Sequence, residues 1–233
     1  MIRRAALVLS VVAAAAAGLS AGNARAADEC KGLRVCLPVT GPWVVVPAGG
    51  VDYELACPLA GYIVAGTDAR VATSDVDVSF RGEPGSPVGP GVTTRRSILY
   101  HAARIRPGAG TTSFEPFIGC IPTNGGGGRA LTGVTARAAG SKPSRALLSV
   151  VVNARIDSRS ETVRASCPKA AQLLGATHAI AFRQAGPPSP AQRDAIRVTR
   201  TVSAGVVVAR VTATDAAGSR AEVQLRAVCA KVR

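Results

Sequence analysis

The chain has 233 residues, 28 basic and 14 acidic side chains, and an apolar content of 47%. Aromatic residues make up only 3%, so the aromatic platforms on which bases and sugars stack are scarce, and specific nucleic-acid recognition is not expected. Val and Thr are frequent, 25 glycines and 15 prolines interrupt the chain, and long helical periodicity is absent, which indicates a mainly β protein.

The first 26 residues are typical of a secretory signal. Arg3 and Arg4 precede an apolar stretch, and Ala24-Arg25-Ala26 forms a small-x-small cleavage site. The stretch is shorter than the roughly 20 strongly apolar residues of a spanning helix, and no later segment is apolar enough. We therefore expect a signal peptide over 1–26, no transmembrane segment in the mature chain, and a secreted or cell-surface protein.

A tandem repeat carries four of the six cysteines. Cys57 and Cys167 each precede a proline and open segments that match at an offset of 110, CPLAGYIVAGTDA and CPKAAQLLGATHA. Each is followed by a second cysteine, Cys120 or Cys229, at nearly the same distance. Sequence alone allows many connectivities, but the repeat favours Cys57–Cys120 and Cys167–Cys229, which leaves Cys30–Cys36. Such pairs persist in oxidising compartments.

Alternation of apolar and polar residues predicts short β-strands over 51–57, 161–167 and 221–229, each with its cysteine on the apolar face. In the last of these strands the acidic, amide and basic side chains Glu222, Gln224 and Arg226 are expected to face outward. Further strands are predicted at 43–46, 74–81, 97–105, 146–156, 196–202 and 206–214. Pro116 lies in the segment that reaches Cys120, so that strand should be an edge or contain a bulge. Ser189 and Pro190 predict the start of one short helix.

These elements favour two tandem, disulfide-closed, β-sandwich-like domains. We place domain 1 at 27–122, a Gly/Pro-rich linker at 123–144 and domain 2 at 145–233. An immunoglobulin domain is not expected, because the lone tryptophan, Trp43, lies upstream of Cys57 rather than downstream.

Positive charge is concentrated in domain 2, which has 14 basic and 5 acidic residues against 8 and 9 in domain 1. This asymmetry predicts attraction to an anionic surface or polymer. A compositional origin is the alternative, since arginines outnumber lysines 24 to 4. The candidate anion-binding residues are Arg164, Arg193, Arg197, Arg200, Arg210 and Arg226.

No catalytic, metal or cofactor motif stands out. There is no G-x-S-x-G elbow and no Cys-x-x-Cys, and neither His101 nor His178 lies near a cysteine at ligand spacing, so both are interpreted as strand or surface residues. We predict no metal and no cofactor. Asp68, Asp75 and Asp77 offer carboxylates for calcium or for glycoside cleavage, although solvent-facing alternation is favoured. Gly125–Gly128 favours a hinge over an anion-binding nest.

The segments GPWVVVPAGG, CPLAGYIVAGTDARV and FIGCIPTNGGGGR, with the closing VQLRAVCA, resemble uncharacterised secreted proteins of actinobacteria that carry cysteine-proline β-repeats. The resemblance covers most of the mature chain. It implies export and a β-repeat architecture, but it carries over no activity and no site.

Together these features predict a secreted, monomeric, non-enzymatic binding or structural module that contacts anionic cell-envelope polymers through domain 2. Two alternatives stay open. One is a secreted hydrolase that uses the Asp68/Asp75/Asp77 face, and the other is an extracellular protein-recognition module with a protein partner.

Overall fold

The computed structural model describes residues 30–31, 35–81, 96–106, 111–123, 147–157, 159–203, 205–218 and 220–231. The expected signal segment, the linker beyond Thr123 and Gly125–Gly128 lie outside them. Within them the chain is mainly β, as predicted, with one short α-helix, α1 (Pro190–Asp194). The first half contains β1 (Leu37–Thr40), β2 (Trp43–Val46), β3 (Val51–Ala56), β4 (Tyr62–Val71), β5 (Val76–Arg81), β6 (Ser97–Arg104) and β7 (Thr112–Pro122). The second half contains β8 (Leu147–Arg155), β9 (Ser160–Ser166), β10 (Ala171–Phe182), β11 (Ile196–Ser203), β12 (Val206–Ala213) and β13 (Ala221–Lys231).

The strands form one long central sheet and two small outer sheets. The central sheet contains β1, β2, β4, β7, β8, β10 and β13. The first outer sheet has the order β3-β6-β5, and the second has the order β11-β12-β9. In the first half, the β3-β6-β5 sheet packs on the part of the central sheet that contains β1, β2, β4 and β7, and in the second half the β11-β12-β9 sheet packs on the part that contains β8, β10 and β13.

The two halves are joined within the central sheet. β2 of the first half pairs with β10 of the second half, with Trp43 opposite Phe182 and Val44 opposite Ala181. Two sandwich-like units thus share a continuous sheet, and the division at 123–144 into two domains stays a prediction.

The outer sheets lie on opposite faces of the central sheet. Val44 and Ala181 are buried in a first hydrophobic core with Tyr53 of β3. Their strand neighbours Val45 and Phe182 are buried in a second core, against the β9–β12–β11 sheet. Because successive side chains of a strand point to opposite faces, the joining strands β2 and β10 contribute to both cores.

All three predicted disulfides are present: Cys30–Cys36, Cys57–Cys120 and Cys167–Cys229. Each long-range bridge joins the end of an outer-sheet strand, β3 or β9, to the central sheet. Cys57, Cys120 and Cys229 are buried in the hydrophobic cores, and Cys167 packs against the second core. In the chain-entropy model, a disulfide that closes a loop of this length stabilises the fold by roughly 4 kcal/mol.

Strands β1, β4 and β10 were not predicted. β4 and β10 each contain a bulge, at Ala65 and Leu174, where the pairing register with β7 and β13 shifts by one residue. A bulge interrupts strict alternation, which hides the strand from a periodicity argument. Gly66 follows the bulge of β4 and pairs with Gly119, and Gly175 follows the bulge of β10 and pairs with Val228. Corresponding residues of these strands therefore differ by 109 in number, rather than by the 110 that relates Cys57 to Cys167.

The prediction for Pro116 was wrong, because β7 is an inner strand and the bulge lies in β4. Pro116 is accommodated because its neighbour is interrupted at Gly41, between β1 and β2, where the Gly41 N–H donates to Pro116 O at 2.8 Å. A Cβ at Gly41 would lie 2.6 Å from Pro116 Cγ, so only glycine fits there. The helix prediction is confirmed: Ser189 caps α1 through a capping box.

The one-residue difference between the repeats lies in the turn after each Cys-Pro pair. The first turn places Gly61 at φ 79°, and the shorter second turn places Ala170 at φ 63°. Left-handed backbone costs a residue with a Cβ about 1–2 kcal/mol, whereas glycine adopts it freely.

We predict that Ala170→Gly raises the free energy of unfolding by up to about 1 kcal/mol, since relief of the strain outweighs the added chain entropy. The matched Gly61→Ala variant should lower the free energy of unfolding by about 1 kcal/mol, because alanine is strained in the left-handed backbone conformation. A steric clash adds nothing to this loss, since the new Cβ would meet only Thr123 Oγ1, at 3.7 Å. Urea unfolding measures both, and an unchanged or destabilised Ala170→Gly variant would contradict this account of the turn.

Candidate functional site

Three of the six candidate arginines lie together on the outer face of the β9–β12–β11 sheet. In β9 and β12 the inward residues are buried, Val163 and Ala209 for example, and the alternate positions face solvent. Arg164, Arg210 and Arg197 occupy such positions on β9, β12 and β11 respectively, and all three are exposed.

The strand register fixes the arrangement of this face. Its cross-strand rows are Ser160–Thr212–Arg197, Thr162–Arg210–Thr199, Arg164–Val208–Thr201 and Ser166–Val206–Ser203. Each arginine therefore lies on a different strand and in a different row, so the three form a diagonal line. Diagonal neighbours in a sheet lie about 7–8 Å apart.

We name these twelve residues the arginine–hydroxyl face. It holds three arginines, seven Ser or Thr hydroxyls, two valines and no carboxylate. Within the described residues, no acidic side chain pairs with the guanidinium of Arg164, Arg197 or Arg210. A shallow depression of about 390 Å³ crosses the middle of the face, between Arg164 and Thr199.

The other three candidate arginines lie elsewhere. Arg193 belongs to α1, and its Nη1 donates to Pro188 O at 2.9 Å. Arg200 pairs opposite the buried Ala209 and so lies on the reverse side of β11. Arg226 is only 6% exposed, so, contrary to the prediction, its guanidinium is not available to an external anion.

Arg226 belongs to a polar contact between the halves, where the outward expectation for Glu222, Gln224 and Arg226 was wrong. Arg226 Nε lies 3.4 Å from Glu54 Oε2 and donates to Ser149 Oγ at 2.9 Å. Gln224 Nε2 donates to Glu54 O at 2.9 Å, and Gln224 Oε1 accepts from the Glu54 N–H at 2.7 Å. β3 of the first half covers these β13 side chains, so the alternating polar positions face another element rather than solvent.

A tyrosine extends this contact. The buried Tyr53 hydroxyl donates to Glu222 Oε1 at 3.2 Å, and Arg183 Nε donates to Glu222 Oε2 at 2.6 Å. Burial, followed by the Glu222 carboxylate, raises the pKa of Tyr53 well above its usual range. We call the contact formed by Tyr53, Glu54, Ser149, Glu222, Gln224 and Arg226 the polar seam.

The carboxylates proposed for calcium or hydrolysis do not converge. Asp68 is on β4 of the central sheet, opposite Phe117, whereas Asp77 is exposed on β5 of an outer sheet. Asp75 pairs with Arg106 at 2.9 Å. Among the described residues, no three His, Cys, Asp or Glu side chains are grouped so that they could hold a metal ion.

No aromatic platform faces solvent at Trp43, Tyr53 or Tyr100, which are at most 2% exposed. The Arg70 guanidinium lies 5.0 Å from the Trp43 ring centre and pairs with Glu115. Burial raises the pKa of Glu115, with Arg70 opposing the shift. These groups stabilise one face of the central sheet.

Both histidines border one cleft between the halves, which sequence reasoning missed. β2 pairs with β10 at only two positions and then turns into β3, which leaves a cavity of about 240 Å³ along the edge of β10. We name this the histidine cleft. Its lining residues are Pro47, Gly49, Gly50, Val51, Asp52, His101, Thr177, His178 and Arg200.

The polar groups of the cleft differ in how they are satisfied. His101 Nδ1 lies 2.8 Å from Asp52 Oδ1. Thr177 Oγ1 and His178 Nδ1 are buried and have no hydrogen-bond partner within the described part of the chain. Burial, and then the charge of Arg200, lowers the pKa of His178. Thr177 is the one hydroxyl residue lining the cleft, and no hydrogen bond joins it to either histidine.

Comparison of the chain with known protein families, with curated proteins and with solved structures finds no match. In the described residues no helix is long and apolar enough to span a membrane.

We predict that Arg226→Gln lowers the free energy of unfolding by about 3 kcal/mol, because it leaves the Glu54 carboxylate, 10% exposed, without its buried partner. Arg164→Gln, at an exposed position without an acidic partner, should stay within about 0.5 kcal/mol of wild type. Equal stability of the two variants in urea would rule out the structural role assigned to Arg226.

We also predict that His178 titrates below its ordinary pKa of 6.5, as measured from its imidazole NMR signals. Since the unfolded chain binds this proton first, His178 should reduce stability as pH falls below about 6.5, through the folded-state pKa. The other charged or titratable groups bordering the cleft are Asp52, His101 and Arg200. His178→Gln should remove this acid-side loss, and identical pH–stability curves for the two proteins would contradict the shift.

Proposed function

We propose that the protein is a secreted or cell-surface, non-enzymatic binding module that holds a linear anionic polymer on the arginine–hydroxyl face. The observation that carries the proposal is the charge pattern of this face. It presents Arg164, Arg197 and Arg210 without a carboxylate in its twelve positions, so the positive charges are available to an external anion.

The line of arginines favours an extended ligand over a small one. With neighbours about 7–8 Å apart, Arg164 and Arg197 at the two ends are about 15 Å apart. A single small anion reaches one or two of them, whereas a chain that carries repeated phosphate, sulfate or carboxylate groups can contact all three. Guanidinium groups bind such oxyanions through charge-assisted, often bidentate hydrogen bonds.

The hydroxyl groups suit a hydroxylated polymer. Thr162 and Thr212 lie on one side of the line of arginines, and Thr201 lies on the other side. Each hydroxyl can donate and accept, so sugar or polyol hydroxyls find partners on both sides of the charged line. An anionic envelope polysaccharide or polyol phosphate has both kinds of group.

Location outside the cytoplasm is supported by the three disulfides, which persist in oxidising compartments. The resemblance to secreted actinobacterial proteins supports the same location. The hydrolase alternative loses its basis, because Asp68 and Asp77 lie on different sheets and the arginine–hydroxyl face contains no carboxylate, histidine or cysteine.

The test is cosedimentation of the mature protein with isolated cell envelopes and, separately, binding to immobilised polygalacturonate. The variant Arg164→Gln/Arg197→Gln/Arg210→Gln should lose about one to two orders of magnitude in affinity, since each exposed ion pair contributes up to about 1 kcal/mol. Wild-type binding should weaken as salt is raised.

A matched control removes three charges away from the face. Arg155, Arg220 and Lys231 are exposed on the same half, and their triple Gln variant should bind within about threefold of wild type. Equal losses in both triple variants would show that net charge alone attracts the polymer. Full binding by the first variant would contradict the proposal and favour a protein partner on another surface.

A further inference from the structure

The histidine cleft contains buried polar groups that the polymer-binding proposal does not use. Thr177 and His178 are consecutive on β10, and both border the cleft because it opens along the edge of that strand. Their atoms Oγ1 and Nδ1 are buried without a partner in the described chain. Leaving a buried polar atom unsatisfied costs stability, and native proteins rarely do so without a reason.

Arg200 supplies the positive charge of the cleft. Its Nη1 donates to Ala176 O, which holds the guanidinium beside the edge of β10. The side chain makes no ion pair in the described residues, so its other N–H groups can bind an anionic oxygen. The neighbouring His178 is neutral near pH 7, because its pKa is lowered, and it adds hydrogen-bonding capacity without a second charge.

The opposite wall of the cleft is a paired carboxylate and imidazole. Asp52 accepts from His101 Nδ1 at 2.8 Å, and in the neutral imidazole this leaves Nε2 as an acceptor for a ligand hydroxyl. Gly50 closes this wall with φ 76°, and a Cβ there would lie 3.0 Å from Ala102 O. The turn between β2 and β3 thus depends on glycine where it borders the cleft.

We propose that the histidine cleft binds a small hydroxylated anion of about monosaccharide size. Its oxyanion group would accept from the N–H groups of Arg200 and, once Thr177 turns its buried hydroxyl toward the cleft, from Thr177 Oγ1, while its hydroxyl groups would contact the rings of His178 and His101. The volume of about 240 Å³ lies just below the roughly 300–1,000 Å³ of pockets for drug-sized ligands, which is consistent with a ligand of this size.

This site is separate from the arginine–hydroxyl face. Arg197 and Arg200 lie on the same strand, but Arg197 pairs opposite the exposed Thr212 and Arg200 opposite the buried Ala209. The two side chains therefore leave β11 on opposite sides. This pair provides two variants with the same change in charge, one for each site.

The experiment is calorimetric titration of the mature protein with glucuronate, glucose 6-phosphate and glucose, with the imidazole NMR signals of both histidines as a second readout. We expect at least one of the two anions to bind and to shift the His178 and His101 signals, and glucose to bind at least tenfold more weakly. Tighter binding of glucuronate would indicate a carboxylate ligand, and tighter binding of glucose 6-phosphate would indicate a phosphate ligand.

Arg200→Gln and Thr177→Val should each weaken binding of that anion, by at least tenfold for Arg200→Gln, while Arg197→Gln should leave it unchanged. Native far-UV and near-UV circular dichroism of each variant establishes that the fold is retained. The proposal is overturned if neither anion binds wild type at millimolar concentration, if glucose binds as well as the anions, or if Arg200→Gln and Arg197→Gln bind equally.

Discussion

The pairing of β2 with β10 is the contact on which the arrangement of the arginine–hydroxyl face and the histidine cleft depends. It joins two sandwich-like units through one central sheet and places their outer sheets on opposite faces. One consequence is the polar seam, where β3 covers the outward side chains of β13. Another is the histidine cleft, which opens where β2 leaves the edge of β10 after only two paired residues.

The same arrangement decides which charges of the second half reach solvent. Glu54 of the first half lies beside Arg226, and Glu222 binds Arg183. Arg164 and Arg210 have no such neighbour, because nothing in the described chain covers the outer face of β9, β12 and β11. The positive charge that this half offers to a ligand therefore depends on which guanidinium groups are unpaired, and a count of basic and acidic residues does not give it.

The sequence predicted the fold class and most strands, because alternation of apolar and polar residues is a local signal. It also predicted the disulfides, because the repeat pairs the cysteines and a buried bridge needs each cysteine on the apolar face of its strand. It missed β4 and β10, whose bulges at Ala65 and Leu174 break the alternation. Alternation also identifies two faces of a strand without showing what covers the polar one, which is why Arg226 was placed outside. That His101 and His178 border the same cleft leaves no local signal in the sequence, since it follows from the joining of the halves.

The measurement that tests the polymer-binding face most directly is NMR of the arginine side-chain Nε–H groups during titration with polygalacturonate. The account predicts that the signals of Arg164, Arg197 and Arg210 shift together at a common affinity, while those of Arg155 and Arg220 stay in place. Shifts spread evenly over all exposed arginines, or confined to Arg155 and Arg220, would contradict it.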